Sequence, residues 1–543
     1  MKSRFSLAHF WPVLAAVAVV AFLFVLLAPG VSAGASADRA PFGGMDNPVT
    51  TITVDSGTDP DNSKSKKCST ATPCTLRRAI VQARSLPANE RPVLINFNIP
   101  ATPAEGYDGG LKIWKLHPLK TSDPSVFRRL EGGQITIDGS TQPGGRADGP
   151  KIVIVGPGTG ARDGLIVGVN NAGAHDGNVI RGLAFQNFKT HLIINSNDNL
   201  VEHNWFGLSD DGQDVFLRDD EPEDGSGSAG VALSANVEDN VVQNNVFLGF
   251  DGVAAALRGE QNAFAHNFVG TAADGTVPGK QTDPDLICTT VDWLGGGGIS
   301  LEGEKQTVSE NVFAGLRQEI FQISTQPDAI RSAGSKHTIQ YNVIGMDENG
   351  AEVGVCGRGI YLISSPQDVQ VLHNMIVNPG LSGISLNGVL YDANTLRGNG
   401  ITRQGSWPQI EGNPKAEDAI QLGPSLPDAF VDFQPARITA IDGLTVSGTS
   451  GAGSPCPKCV IEVFLDDADG VVEAQPLTVV TTADSSGNWT AQLSFPLAPG
   501  YGLRTTSTTA RYNTIPNMSA GTTTGLSVLY RPAGKVFLPS ILR

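Results

Sequence analysis

Apolar residues along this chain alternate with polar residues or stand in pairs and threes, and Asn and Gly flank these short runs. Such runs predict short β-strands, because an amphipathic helix needs an apolar residue every three to four positions over several turns. Between about residues 178 and 401 the runs return in one phrase, in which a polar residue and an apolar stretch precede Asn and further apolar residues. The second Asn of each copy is Asn204, Asn245, Asn267, Asn311, Asn342, Asn374 and Asn399.

The spacing of these copies predicts a solenoid. Successive intervals are 41, 22, 44, 31, 32 and 25 residues, which is a unit near 22 that is sometimes doubled or lengthened by an insertion. A unit this short cannot bury a core alone, so the units must stack. Two or three strands in such a coil predict a parallel β-helix over residues 135–401. We interpret the recurrent Asn as a turn residue that tolerates left-handed backbone angles and bonds to the Asn of the next coil.

The N-terminal residues 1–37 read as a signal peptide. Lys2 and Arg4 supply the positive end, residues 13–28 the apolar segment, and the small residues before Gly34 or Asp38 a cleavage site. The alternative is a retained membrane anchor. We therefore expect an extracellular or cell-surface protein, with no membrane-spanning helix after the signal is removed.

The six cysteines fit an exported protein, where disulfides are stable. Cys68 and Cys74 would close one small loop, and Cys456 and Cys459 another. Cys288 and Cys356, each placed after a similar phrase in the solenoid, are the expected third pair. A zinc site at Cys456 and Cys459 is the alternative, but no second cysteine pair lies nearby in sequence.

Residues 38–134 are expected to form an N-terminal lead and a cap on the open end of the solenoid. Leu76, Ala79, Ile80 and Ala83 share one helical face, and Thr75 is a suitable N-cap. A short amphipathic helix of this kind would cover apolar edges that otherwise invite aggregation.

The phrase Cys-Thr-Leu-Arg-Arg-Ala-Ile from Cys74, preceded by Cys68, resembles the CSLREA-type region of secreted bacterial parallel β-helix proteins. Thr75 stands in place of the Ser of that motif and Arg78 in place of its Glu. Residues 135–144 and 178–188 are similar to further phrases of the same proteins, so the resemblance covers about residues 50–400. It implies a right-handed, pectin-lyase-like β-helix and export, and it says far less about activity.

Beyond the solenoid, residues 402–434 contain four prolines and read as a linker. Alternating strands at sandwich spacing follow over residues 435–531, and this segment looks like an immunoglobulin-like module. The last residues, 532–543, form an apolar tail that is either a final strand or a docking or sorting signal. The whole chain is therefore expected to be all-β, with a helical cap before the β-helix and a β-sandwich after it.

Three inserted phrases stand out inside the solenoid, at residues 207–212, 270–275 and 345–350. Each ends in Asp-Gly or Asn-Gly, which are strong turn signals, and a longer insertion follows each. We expect these hairpins to project from one side of the β-helix and to define its functional face.

Candidate catalytic and metal-binding carboxylates are few. Asp210, Asp211 and Asp214 lie in the first hairpin, where inverting glycoside hydrolysis would need two separated carboxyl groups. The sequence lacks the three-residue motifs that are typical of polygalacturonases. A turn therefore explains Asp210, Asp211 and Asp214 better than catalysis does. A run of acidic residues in the following insertion offers hard oxygen ligands for calcium, the one cofactor that the sequence suggests. These residues are Asp219, Asp220, Glu221, Glu223 and Asp224. A solvated loop is the alternative.

Aromatic residues and histidines are further candidates for ligand contacts. Trp205 and Trp293 lie beside or within insertions and are candidates for stacking on sugar rings, with core packing as the alternative. His203, His266 and His373 each precede a repeat Asn, so stacking between coils is expected of them rather than metal binding.

The net charge of −16 argues against nucleic acid as a partner. Three functions stay open. The first is non-catalytic binding or adhesion to glycans or the cell envelope through loops on one face. The second is a polysaccharide lyase or glycoside hydrolase, and the third is a passive structural component of an envelope or filament.

Overall fold

The computed structural model describes most of the chain after the N-terminal segment. The described residues are 49–59, 66–101, 106–119, 125–157, 162–169, 173–216, 228–250, 252–279, 297–317, 327–388, 393–402, 418–423, 433–450, 456–467, 469–510 and 520–532. None of the described helices is long and apolar enough to cross a membrane.

The chain winds through three parallel sheets, and each full coil visits the first, the second and then the third sheet. This arrangement is the predicted right-handed parallel β-helix, since parallel crossover connections are almost always right-handed. Strands are numbered in chain order. Among the described strands of the solenoid sheets, only β3 and β4 pair antiparallel.

The strands of the first sheet are short and mostly three residues long in the repeat region. They are β1 (Thr50–Val54), β2 (Val93–Phe97), β5 (Ile135–Asp138), β8 (Val179–Arg181), β11 (Leu200–Glu202), β14 (Val241–Gln243), β17 (Ala263–Ala265), β20 (Thr307–Ser309), β23 (Thr338–Gln340), β26 (Gln370–Leu372) and β29 (Thr395–Arg397). The first sheet thus begins well before residue 135.

The second and third sheets complete each coil. The second contains β3 (Tyr107–Asp108), β4 (Ile113–Leu116), β6 (Ile152–Val155), β9 (Leu183–Gln186), β12 (Trp205–Phe206), β15 (Val246–Phe247), β18 (Phe268–Val269), β21 (Val312–Phe313), β24 (Val343–Ile344), β27 (Met375–Val377) and β30 (Gly400–Thr402). The third contains β7 (Leu165–Val167), β10 (Thr190–Ile194), β13 (Ala229–Leu233), β16 (Val253–Leu257), β19 (Gly297–Leu301), β22 (Ile330–Ser335), β25 (Ile360–Gln367), β28 (Ile384–Asn387) and β31 (Ile420–Leu422).

The core lies inside the coils, where one inward residue per strand stacks on its counterpart in the next coil. Phe185, Phe206 and Phe247 form such a column in the second sheet, with ring centroids 5.3 and 4.9 Å apart. All three rings are fully buried. Dispersion and burial of these apolar columns stabilise the stack of coils along its length.

Two ladders of polar side chains run along the corners on either side of the first sheet. In the ladder after the sheet, Asn204 donates from its backbone N and its Nδ2 to Oδ1 of Asn245, at 3.0 and 3.1 Å. The same pattern continues through Asn267, Asn311, Asn342, Asn374 and Asn399. The predicted bonding between repeat Asn residues is therefore present, and it satisfies buried amides that would be costly to leave unpaired.

The ladder before the first sheet begins in the same way with Asn178, Asn199, Asn240 and Asn262. Gln306 and His337 then take the Asn position, and the Gln306 N–H donates to Nδ1 of His337 at 3.1 Å. Histidine fits because its Nδ1 sits where Oδ1 of Asn would be.

We expected the left-handed backbone angle at the ladder Asn itself. It occurs instead at the residue that precedes each ladder Asn. His203 has φ 55°, Asn244 has φ 53° and Tyr341 has φ 56°. The ladder amide must turn inward to reach the next coil, so the preceding residue makes the turn and directs its side chain to solvent.

The N-terminal cap contains helix α1 (Leu76–Ala83), whose Thr75 side chain accepts a hydrogen bond from the Arg78 N–H at 3.3 Å. Buried Arg77 fastens the cap, because it contacts Asp59 at 2.7 Å and donates to the backbone carbonyl of Leu119. Short 3-10 turns occur at Ala88–Glu90, Gly139–Thr141 and Gly173–His175.

The C-terminal unit is a β-sandwich of two antiparallel three-stranded sheets. One contains β32 (Arg437–Asp442), β33 (Thr445–Thr449) and β36 (Asn488–Gln492), and the other β34 (Val460–Asp466), β35 (Gln475–Thr482) and β37 (Gly502–Thr508). It joins the last coil through reciprocal backbone bonds between Ile401 and Ala474, and Glu462 accepts from the Gly398 N–H at 2.9 Å. The sandwich therefore covers the C-terminal end of the solenoid.

Two of the three expected disulfides are present, between Cys68 and Cys74 and between Cys456 and Cys459. Cys356 is also disulfide-bonded, and Cys288, its expected partner, lies outside the described residues. The Cys456 and Cys459 sulfurs are buried and bonded, so the zinc alternative is wrong for this pair.

Candidate functional site

The three inserted hairpins fold back onto the outer face of the second sheet instead of projecting from the solenoid. Their tips stack on one another, since the Ala273 N–H donates to Gly212 at 2.8 Å and the Glu348 N–H donates to Gly275 at 3.2 Å. The cause lies beneath them, where the outward positions of the second sheet, such as Val153, are apolar and need a cover. The hairpins cover these apolar positions, so the outer face of the second sheet is not exposed beneath them.

Trp205 lies under the first hairpin and is only 7% exposed. The Arg146 guanidinium stacks on its ring at 4.3 Å, a favourable cation–π geometry. Gly149 and Gly212 pack so closely that a Cβ on either would come within 2.4 Å of the ring. The proposed sugar-stacking role of Trp205 is therefore wrong, because its faces are already used in packing.

The carboxylates of the first hairpin hold the hairpin in place. Asp210 forms an ion pair with Lys115 and accepts from Gln186 Nε2 at 3.1 Å. Asp211 accepts from the Ser209 hydroxyl at 2.6 Å, which with the Gln213 N–H lowers the pKa of Asp211.

A general acid needs a raised pKa near neutral pH, so Asp211 is unsuited to that part. Asp214 accepts from the N–H of its neighbour Val215 at 2.7 Å, again a local turn contact. The turn explanation accounts for all three carboxylates.

Several predicted ligand residues lie outside the described residues. They are Trp293 and the acidic residues Asp219, Asp220, Glu221, Glu223 and Asp224. Within the described ranges no group of three or more His, Cys, Asp or Glu side chains is placed to hold a metal ion.

The three histidines that precede ladder residues all lie on the exposed corner after the first sheet. His373 stacks on Tyr341 with ring centroids 5.3 Å apart and an interplanar angle of 10°. His203 and His266 contact the carboxylates of Glu202 and Glu310 at 3.8 and 3.5 Å. Stacking between coils is therefore present for His373, and the other two histidines lie beside carboxylates.

The outer face of the third sheet changes from small to large polar residues along the solenoid. Its outward column runs through Ala232, Ala256 and Ser300 to Arg331 and Tyr361, which are register partners in neighbouring coils. The small residues form a flat floor, and the large polar side chains follow at one end. Arg331 is exposed and has no ion-pair partner among the described residues.

Tyr361 is the centre of this end of the face. Arg358 stacks on one side of its ring at 4.2 Å, and the exposed Asn387 donates from Nδ2 to its hydroxyl at 2.9 Å. Asp328 accepts from the Arg358 N–H at 2.8 Å and lies 3.7 Å from its guanidinium, which fixes the Arg358 side chain. We call Arg331, Tyr361 and Asn387 the third-sheet patch.

The patch combines an exposed cation, an aromatic ring and an exposed amide on one sheet face. These groups suit a sugar, because a ring edge or face packs on apolar sugar C–H groups while amide and guanidinium groups bond to hydroxyls or carboxylates. The patch was not among the sites predicted from the sequence. The sequence signal for the patch is the alternation of buried and outward residues in Ile330–Ser335 and Ile360–Gln367. These two strands do not contain the Asn phrase that marks the repeat.

No protein-family model matches the sequence, and the search of curated proteins found no relative. Solved structures do match. A tailspike protein 2 from Escherichia coli O157:H7 bacteriophage CAB120 is 12% identical, with 77% of this chain and 60% of that chain covered and a TM-score of 0.27. A tailspike protein gp49 from Acinetobacter baumannii bacteriophage Fri1, a capsular polysaccharide depolymerase, is 9% identical, with 80% and 75% covered and a TM-score of 0.24.

The catalytic unit of a GH87 alpha-1,3-glucanase from Streptomyces thermodiastaticus is 11% identical, with 62% of this chain covered and a TM-score of 0.24. This chain spans 56% of that glucanase unit and 60% of the CAB120 tailspike. At these identities and TM-scores, the chemistry of this chain has to be argued from its own residues.

Proposed function

We propose that this protein binds an extracellular polysaccharide through the third-sheet patch and does not cleave it. The observation that carries the proposal is the alignment of Arg331 with Tyr361 on an open sheet face, with Asn387 bonded to the Tyr361 hydroxyl. The Arg358 stack and the parallel sheet beneath hold the ring in place before any ligand arrives. A rigid surface of this kind loses little conformational entropy on binding.

Binding without cleavage is favoured by where the carboxyl groups lie. Asp328, the carboxylate beside the patch, is committed to Arg358. Burial raises the pKa of Asp163 and of Glu462, but Asp163 precedes β7 and Glu462 lies in the sandwich. Neither carboxyl therefore lies in the third-sheet patch, where cleavage of a bound sugar would need a general acid with a raised pKa beside a second, ionised carboxyl.

We propose further that the protein is exported and acts outside the cell, as a CSLREA-type β-helix protein with an immunoglobulin-like C-terminal module. The N-terminal sequence with its charged start and apolar segment supports export, and the cysteine pairs support an oxidising compartment. The insertions 217–227, 280–296 and 318–326 run by sequence into β13, β19 and β22 of the third sheet. Trp293 and the acidic calcium candidates belong to these insertions and stay predictions.

Variants of the third-sheet patch test the proposal. The protein would be screened on an array of extracellular polysaccharides, and the tightest ligand titrated by calorimetry. Arg331→Ala and Tyr361→Ala should each weaken binding about tenfold, since a stacking or charged contact contributes about 1 to 1.5 kcal/mol. Arg437→Ala, an exposed Arg on the sandwich, is the matched control and should bind as the wild type does.

Unchanged affinity in both patch variants would place the binding face elsewhere. Release of shorter chains from the bound polysaccharide would favour the lyase or hydrolase alternative. If the protein binds no polysaccharide on the array, the proposal fails and the passive structural component becomes the favoured alternative.

A further inference from the structure

The first sheet carries a second surface, which arises from the repeat itself. In eight successive coils, two residues with left-handed φ stand five positions apart, and each is followed by a ladder position or its equivalent. The pairs are Gly177 and Gly182, Asp198 and His203, Asp239 and Asn244, Gln261 and His266, Lys305 and Glu310, Lys336 and Tyr341, Asp368 and His373, and Ala393 and Gly398. Between the members of each pair, the first and third residues of a three-residue strand face outward.

This spacing creates a trough. The left-handed residues line its two walls, and the outward strand residues form its floor. At about 3.3 Å per residue the walls stand about 16 Å apart, and at about 4.8 Å per coil the trough extends about 34 Å along the solenoid. Every residue of the walls and floor lies in the described ranges.

The trough is deepest at its middle, where the outward floor residues are smallest. Ala263 and Ala265 face outward in one coil, and Thr307 and Ser309 in the next. The methyl and hydroxyl groups of these four partly exposed residues form a low basin. Beside it stands Tyr341, which is 45% exposed and held upright by its stack on His373.

Both lysines of the walls contact carboxylates that stand directly before another wall residue, and one wall histidine lies near a wall carboxylate. Lys305 contacts Glu260 at 3.3 Å, Lys336 contacts Glu304 at 2.8 Å, and His266 contacts Glu310 at 3.5 Å. The cationic residues of the walls and floor are Arg181, Lys305, Lys336 and Arg397, and the anionic ones are Asp198, Glu202, Asp239, Glu310 and Asp368. With charges so close to balance, the trough offers little net attraction to an anionic or cationic polymer. It does offer donors and acceptors at each coil, which suits a neutral chain rich in hydroxyl groups.

We propose that the trough is a second carbohydrate-binding surface, which takes a neutral polysaccharide chain lying along the solenoid axis with Tyr341 as a stacking platform. The two ladders fix the wall residues before binding, because each buried amide bonds to the coils on both sides. With the third-sheet patch on another face of the same solenoid, the protein would be bivalent. Engagement of both faces would raise the avidity for a polysaccharide network or join two chains.

The experiment uses the full chain and an array of neutral and acidic oligosaccharides, followed by titration of the tightest neutral ligand. Tyr341→Ala should weaken that binding about tenfold, as the loss of an aromatic platform implies, while Tyr341→Phe keeps the ring and should bind as the wild type does. Ala265→Trp should block the basin and give a similar loss. Its side chain points outward, and an unchanged circular dichroism spectrum would verify the fold.

A double variant separates this proposal from the function assigned to the third sheet. Arg331→Ala with Tyr361→Ala should leave binding of the neutral ligand intact. If that double variant abolishes all binding, or if Tyr341→Ala and Ala265→Trp both bind like the wild type, the trough is not a binding surface. Failure of every neutral oligosaccharide to bind would overturn it as well. If the substitutions in the third-sheet patch change the binding of no ligand, only the first proposal is refuted.

Discussion

His337 makes one ladder sensitive to acid. The residue is fully buried, and burial lowers the pKa of His337 from 6.5 to about 4. Its Nδ1 accepts the Gln306 N–H at 3.1 Å and must therefore be unprotonated. In the unfolded chain the ring takes up a proton more readily, so this group stabilises the fold above pH 6.5 and loses that contribution as pH falls through about 4.

The size of the effect follows from the two pKa values. Each tenfold difference in proton affinity is worth about 1.4 kcal/mol, so the gap between 6.5 and about 4 corresponds to about 3 kcal/mol at full protonation. His337→Asn places an Oδ1 where Nδ1 was and restores the residue type found at Asn178, Asn199, Asn240 and Asn262. We expect this variant to lose the acid-dependent destabilisation while keeping the ladder.

Hydrogen exchange measured peptide by peptide tests the reasoning at the bond itself. As pH falls from neutral toward 4.5, the Gln306 amide of the wild type should lose protection relative to the Asn262 amide, which donates to Gln306 Oε1 at 3.0 Å. In His337→Asn the two amides should stay equally protected. His203→Asn, at an exposed ring outside the ladder, is the control and should behave like the wild type. Equal protection in the wild type at both pH values would refute the account.

Two further predictions concern packing and the junction with the sandwich. Gly212→Ala should destabilise the protein by about 3 kcal/mol in thermal unfolding, because its φ is 74° and its Cβ would meet Trp205 at 2.4 Å. Gly350→Ala, with φ 76° and open space, should cost only about 1 kcal/mol, and equal losses would contradict the packing argument. Burial raises the pKa of Glu462, so its contribution to stability is present at low pH and is lost as pH rises through that raised value. Glu462→Gln should therefore gain stability relative to the wild type from acidic to neutral pH, and a parallel pH dependence of the two melting temperatures would count against this.

The sequence was sufficient for the architecture because the repeat is local. Each Asn phrase contains the strand, the turn and the buried amide of one coil, so stacking and laddering follow from the unit alone. The left-handed position was misplaced because Asn is a common left-handed residue, whereas here its amide is needed inside the ladder. The trough is built from two exposed turn residues that stand five positions apart in each coil. This spacing can also be read from the sequence once the left-handed position is known.

The candidate sites were harder to predict because they depend on contacts between distant parts of the chain. Trp205 appeared exposed beside an insertion, but Arg146 and Gly149 from an earlier coil close over it. Arg331 and Tyr361 meet only because of the register of β22 and β25, and insertions of unequal length hide that register in the sequence. Composition and turn signals carry no information about such pairings.

Retention of a polysaccharide by the protein, measured together with the length of the polymer, tests the central proposal most directly. The polysaccharide bound most tightly on the array would be incubated with wild-type protein and with Tyr361→Ala, and its size followed by light scattering after size-exclusion chromatography. We predict that the wild type co-elutes with a polymer of unchanged size and that the variant retains markedly less. Shortened polymer in the wild-type sample, or equal retention by the variant, would contradict binding without cleavage through the third sheet.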